Sequence, residues 1–173
     1  MNIRKGNLQD LQEIKNLALT VWSQFKPELT SDNWTLLHDT LSNEKIYADM
    51  LNQCDSFICE NETNEIIGFS FLVPSGNPTE IFTEQQCYIR YVTVSEKYSG
   101  RKIGQHLTEK CIEKAIENGE KYIALHTSEM MHAARHIYEK LGFRMIKEIG
   151  PRLGKKYWVY QLEVGEKKDI PSI

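Results

Sequence analysis

Two spacings of apolar residues alternate along this chain, one near the helical period and one near the strand period, and the switches between them mark its elements. Asn2–Lys5 reads as a short first strand. Asn7 is placed to cap a helix whose apolar positions Leu11, Ile14, Ala18, Val21, Trp22 and Phe25 follow helical spacing, and Pro27 ends it. A second helix is expected from Ser31 or Asp32, with Trp34, Leu37, Leu41, Ala48 and Leu51 on one face and Asp39, Glu44 and Asp49 on the exposed one. Ser56–Glu60 and Glu65–Val73 are apolar runs joined by the turn-rich Asn61–Asn64, which makes an antiparallel hairpin. A loop opened by Pro74-Ser75-Gly76-Asn77-Pro78 runs to about Gln85, long enough to suggest a binding rim.

The second half alternates more regularly. Cys87–Val94 reads as a buried strand, Ser95–Arg101 as a tight loop, and a helix opens at about Lys102 with the stripe Ile103, Leu107, Cys111 and Ala115. Asn118-Gly119 stops that helix, and Lys121–His126 is a strand. Ser128 is expected to cap a helix over Glu129–Leu141, stopped by Gly142. Phe143–Ile149 and Lys155–Val164 are strands around a turn at residues 150–154. The order β-α-α-β-β-β-α-β-α-β-β, with one strand–helix–strand step that demands parallel pairing, predicts an α+β fold: a mixed, twisted sheet flanked by helices. One domain over residues 1–164 is expected, with 165–173 as a polar tail.

Composition narrows the function classes. The 173 residues are 26% charged and 40% hydrophobic, as in ordinary globular chains. No apolar run is long enough to span a membrane, and the charged N-terminus MNIRKGNLQDLQEIK lacks a secretory apolar core, so a cytoplasmic location is expected. Four cysteines lie scattered, without CxxC or zinc-ligand spacing, which suits reduced thiols. Residues 1–85 hold 5 Lys/Arg against 13 Asp/Glu, whereas residues 86–173 hold 16 against 11. That asymmetry suggests an anionic ligand on the second half and, more weakly, a cationic one near the first. The basic residues are too dispersed for nucleic acid.

Candidate chemistry centres on the loop after the central strand. Ser99, Gly100, Arg101, Lys102, Ile103 and Gly104 lead straight into a helix, where unpaired backbone N–H groups, the helix dipole and two cationic side chains would suit phosphate. An ordinary strand-to-helix turn with two solvated basic residues is the alternative.

Two stretches then show a family likeness. IRYVTVSEKYSGRKIGQHL resembles the cofactor motif of the GNAT N-acetyltransferase superfamily, Arg/Gln-x-x-Gly-x-Gly/Ala, and MHAARHIYEKLGFRMIKEI resembles its second signature, here Ala134, Tyr138, Glu139, Lys140, Leu141, Gly142 and Phe143. The motif's Arg/Gln falls on Ser99 and its first glycine on Lys102, which is expected to take helical dihedrals at the helix start. Met131 stands where the family often has Asn.

The resemblance implies acetyl-CoA as cosubstrate, with no metal, in a cleft between the strands ending at Val94 and His126, which splay after a bulge in the first. It implies backbone contacts from Val92 and Val94 to the thioester and pantetheine, pyrophosphate on Ser99, Gly100, Arg101, Lys102, Ile103 and Gly104, and Tyr138 as general acid. The acceptor would be a primary amine of a small molecule or peptide.

A proton acceptor is harder to place. The family's carboxylate position on the central strand falls on Tyr88, leaving Glu84, His126, Glu129 or water. Arg135 reaches either cofactor or solvent. His132 and His136 have metal-ligand spacing but no third ligand. Trp22, Phe25 and Trp34, and likewise Trp158 and Tyr160, suit either core or acceptor pocket. Strand edges near the C-terminus can support a homodimer. Two other function classes stand beside the enzyme: a non-catalytic CoA-binding or regulatory module, and a protein-interaction scaffold.

Overall fold

The computed structural model describes residues 1–165. Seven strands form one sheet in the order β1-β2-β3-β4-β5-β7-β6. They are β1 (Asn2–Arg4), β2 (Asp55–Glu60), β3 (Ile66–Val73), β4 (Gln86–Val94), β5 (Tyr122–Ser128), β6 (Arg144–Arg152) and β7 (Lys155–Glu163). The helices are α1 (Leu11–Trp22), α2 (Ser31–Ser42), α3 (Glu44–Gln53), α4 (Ile103–Glu117) and α5 (His132–Lys140). All neighbours pair antiparallel except β4 and β5, which pair parallel. The α+β expectation therefore holds, with one more helix than the sequence pattern suggested.

That helix comes from Asn43. Its backbone is extended and its side-chain oxygen accepts from the Lys45 N–H at 3.1 Å, so the expected second helix breaks into α2 and α3. Asparagine competes with the helical backbone for its own hydrogen bonds, and here that competition wins. The break turns Tyr47 inward, fully buried, with its hydroxyl donating to the Leu41 carbonyl at 2.8 Å.

Asn7 caps as expected, but it first opens a single 3₁₀ turn (Leu8–Asp10) before α1. Asp10 closes the capping box by accepting from the Asn7 N–H, and its carboxylate also takes both terminal nitrogens of Arg4 at 2.8 and 2.9 Å. Arg4 reaches Glu60 at 2.7 Å, so one guanidinium ties β1, α1 and β2 together. The Arg4 hydrogen bonds hold the Asp10 carboxyl below the usual range, against an opposing effect of burial.

Every residue of β3 is buried, because helices cover both faces of the sheet. Phe69, Phe71 and Val73 pack with α1, α2 and α3, whereas Leu72 joins the α4–α5 side. A Cβ on Gly68 would stand 3.0 Å from the Thr93 carbonyl and 3.1 Å from Ile103, so glycine lets α4 lie close on the sheet.

Two boundaries differ from expectation in the C-terminal third. Ser128 remains in β5, paired with Tyr157, and accepts from the Met130 N–H at 3.3 Å, so α5 starts only at His132. Gly150-Pro151-Arg152 continues β6, an edge strand where proline's missing N–H is tolerated, and the turn is Leu153-Gly154 at φ 52° and 70°. Most of the proposed 165–173 tail lies outside the described residues. No helix among the described residues is long and apolar enough to cross a membrane.

Candidate active site

The parallel ladder between β4 and β5 is short. Gln86, Cys87 and Tyr88 pair with Tyr122, Ile123 and Ala124, and beyond them the strands have no mutual partners. The cause of the divergence lies in β4. Phe69 opposes Thr93 and Phe71 opposes Arg90, so β4 spends three residues where β3 spends two. Tyr91 occupies the bulge at φ 58°, a left-handed conformation that costs a side-chain-bearing residue on the order of 1 kcal/mol. Its ring is held among Tyr47 at 5.7 Å and Phe69 and Phe71 at 6.5 Å, which over-determines the strained backbone.

A cleft of about 1490 Å³ opens where the strands part. The loop after β4 borders one end of it. There the N–H groups of Ser99 and Arg101 donate to the carbonyls of Glu96 and Tyr98. The first helical bond runs from His106 to Lys102. The N–H groups of Gly100, Lys102, Ile103, Gly104 and Gln105 therefore find no acceptor among the described residues, and together they form an anion cradle at the start of α4.

Lys102 does not take the helical dihedrals expected of it; it sits at φ 60°, ψ 16°. The loop needs a left-handed residue where the family pattern has glycine, and lysine supplies it under strain. The cradle is also narrower than Ser99 to Gly104, because two of those N–H groups are consumed inside the loop. Arg101 does not border the cleft; its guanidinium stacks 5.2 Å over Tyr98. Ser99, Gly100, Lys102, Ile103, Gly104, Val92 and Val94 all border it. A Cβ on Gly104 would sit 3.6 to 3.9 Å from Ile137, Val94 and Val92, which places that glycine on the apolar floor.

Tyr138 borders the same cleft from α5. Only 7% exposed, it packs edge-on against Phe143 at 6.0 Å. Burial, and then the nearby Cys111 thiol, push its pKa up, so the phenol stays protonated. Met131 also borders the cleft, its sulfur accepting from the Thr127 hydroxyl at 3.6 Å, whereas Arg135 turns away to stack 4.7 Å over Trp158. His132 stands on the rim, and no third metal-ligating side chain joins it and His136 among the described residues.

The candidate bases separate clearly. Glu84 is exposed away from the cleft, and Glu129 accepts from the Lys156 N–H at 3.0 Å. Tyr88 stacks on Phe82 at 4.3 Å and donates to the Asn77 carbonyl at 3.2 Å. Of the four, only His126 borders the cleft. Phe82 and Tyr157 flank its ring at 6.0 and 5.9 Å, and its Nδ1 is buried without a partner. Burial chiefly, with the charges of Arg90 and Arg152, lowers its pKa to about 4, so the imidazole is neutral at neutral pH.

The other end of the cleft is walled by Trp22, Phe25 and Leu37, by Thr79–Phe82 of the long loop, and by the β6–β7 hairpin. Trp34, Trp158 and Tyr160 lie outside it. Tyr160 donates instead to Glu139 at 3.0 Å.

This arrangement has known counterparts. The family model for the acetyltransferase (GNAT) family matches residues 11–143. The chain belongs to the GNAT acetyltransferase family. Within that family's fold, PaiA N-acetyltransferase from Thermoplasma acidophilum, solved in complex with coenzyme A, superposes with a TM-score of 0.76 at 14% identity, covering 94% of this chain and 98% of that one. A GNAT acetyltransferase from Staphylococcus aureus Mu50 gives 0.71 at 23% identity, covering 95% and 99%. Among curated proteins, the probable N-acetyltransferase camello of Xenopus tropicalis is 27% identical over 123 residues, 70% of this chain. This GNAT chain matches only 53% of that relative's length, so it spans about half of it.

Proposed function

We propose that the chain transfers the acetyl group of acetyl-CoA to a primary amine of a small molecule or peptide, by direct attack in a ternary complex. The observation that carries this reading is the divergence of β4 from β5 beyond Tyr88, which gathers a strand edge, an anion cradle and Tyr138 around one cleft. Five unpaired N–H groups at a helix start match a pyrophosphate in charge and donor number. The backbone of Val92 and Val94, free on its β5 side, binds the thioester carbonyl and the pantetheine amide, so that charge developing on the carbonyl oxygen meets fixed donors.

Tyr138 serves the leaving group. As the amine nitrogen bonds to the acetyl carbon and the carbon–sulfur bond breaks, its hydroxyl donates to the sulfur that carries the electron pair away. A raised pKa suits a donor that must not ionise. His126 takes the proton from nitrogen. As the carbon–sulfur bond breaks, the nitrogen becomes that of a protonated amide, a strong acid, so a neutral imidazole of low proton affinity is adequate at that point.

Thiol release from acetyl-CoA over a panel of amines tests the reading. Tyr138→Phe is expected to lower kcat on the order of 10²-fold while CoA affinity changes little. Equal loss of both would remove Tyr138 from the acid role. Saturable CoA binding with no thiol release from any amine would favour the non-catalytic module.

A further inference from the structure

We propose that Arg90 holds a carboxylate of the acceptor, a few bonds from the reacting amine, so that the acceptor class is a free amino acid with an apolar side chain. The proposal rests on the acetyltransferase reading. Arg90 lies on β4 opposite Phe71, on the sheet face shared with α1, α2 and α3, and borders the cleft at its acceptor end. It is half-buried, yet no carboxylate lies within ion-pair distance of it among the described residues. Its only described partner is the Tyr91 ring, 5.1 Å away. A guanidinium withdrawn from water without a counter-ion is unfavourable unless something arrives to pair with it, and its planar fork fits a carboxylate in bidentate fashion.

The neighbouring charges leave that role to Arg90. Arg152 is already neutralised by Glu80, while Lys147 and Glu148 are exposed on the rim. Position matters as well. Arg90 precedes Val92 by two residues, at most about 7 Å along the strand, within a guanidinium's reach of a group bonded near the amine. A peptide's N-terminal amine carries its carboxylate too far away to serve. Trp22, Phe25, Leu37 and Phe82 supply apolar walls for the side chain. Of the carboxylates that border this end of the cleft, Glu80 is taken by Arg152 and Glu148 is exposed on the rim, so a cationic acceptor finds no buried, unpaired carboxylate there among the described residues.

The test is calorimetric titration of the CoA-loaded protein with N-acetyl-phenylalanine and N-acetyl-phenylalaninamide, which differ only at the carboxylate. At least tenfold tighter binding of the acid is expected. Arg90→Gln should bring the acid down to the amide's affinity while leaving the amide and CoA unchanged, and Arg90→Lys should keep part of the preference. Equal affinities in the unmodified protein, binding of neither probe, or an acid preference surviving in Arg90→Gln would each overturn the proposal. Tighter binding of O-phosphoethanolamine would overturn the carboxylate assignment. Thiol release with phenylalanine separates the two readings. Acid-selective binding without release from phenylalanine or from any other amine of the panel fails the acetyltransferase reading and leaves the subsite standing; release that ignores the carboxylate does the reverse.

Discussion

His126 should make this fold sensitive to acid. The imidazole binds protons with a pKa of about 4 in the fold against 6.5 for a free side chain, because burial and the charges of Arg90 and Arg152 oppose its ionisation. Between those values the unfolded chain binds more protons than the folded one, so stability rises with pH across the window and levels above it. Relative to pH 8, the loss works out to about 2 kcal/mol at pH 5 and about 3 kcal/mol at pH 4. Because the ring keeps some solvent access, these figures are upper bounds. Urea unfolding of the unmodified chain and His126→Gln from pH 4 to 8 reads the effect as a difference in slope. The substituted chain should lose much less stability on acidification between pH 6.5 and 4. Parallel curves would refute the claim that His126 is held neutral.

Three further outcomes follow from the same geometry. Lys102→Gly should relieve the left-handed strain and raise stability by about 0.5–1 kcal/mol in thermal unfolding, less whatever flexibility glycine adds to the unfolded chain. Gly68→Ala should destabilise by about 1–3 kcal/mol, because the new Cβ meets a backbone carbonyl that cannot swing aside; an unchanged melting temperature would contradict the close α4–sheet approach. Asp10→Asn should destabilise by about 1–3 kcal/mol at pH 7, since it removes a charge-assisted pair from Arg4. With its folded pKa lowered, Asp10 contributes stability above the ordinary carboxylate range that is lost as pH falls through the folded value, so the gap between the two chains should close in acid.

Periodicity carried the element order well where one period ran uninterrupted, as in β3 and α4. It failed where a single side chain overrode it. Asn43 breaks a helix whose apolar stripe continues straight across the break, and Pro151 looks like a turn residue but sits in an edge strand where its missing N–H does no harm. The free N–H groups at the start of α4 were legible because they follow from a loop entering a helix, whatever side chains it carries. The left-handed backbone of Lys102 was not, because nothing in lysine signals it.

The bulge residue was also hidden. Tyr91 is held left-handed by rings from α3 and β3, contacts between residues more than 40 positions apart in one case. The same holds for the far end of the cleft, where Arg90, Phe82, His126 and Trp22 come to one lining only through sheet register and loop placement. Among the four candidate bases, residue type offered no ranking; burial and hydrogen bonding did.

The measurement that bears most directly on the whole account is calorimetric titration with acetyl-CoA of the unmodified chain and of Gly104→Leu. The leucine would project from the floor formed by Val92, Val94 and Ile137. Saturable binding at one site per chain, lost in a Gly104→Leu protein that keeps its circular dichroism, is the expected result. No binding to the unmodified chain, or equal binding to both, would contradict the placement of acetyl-CoA between β4 and β5.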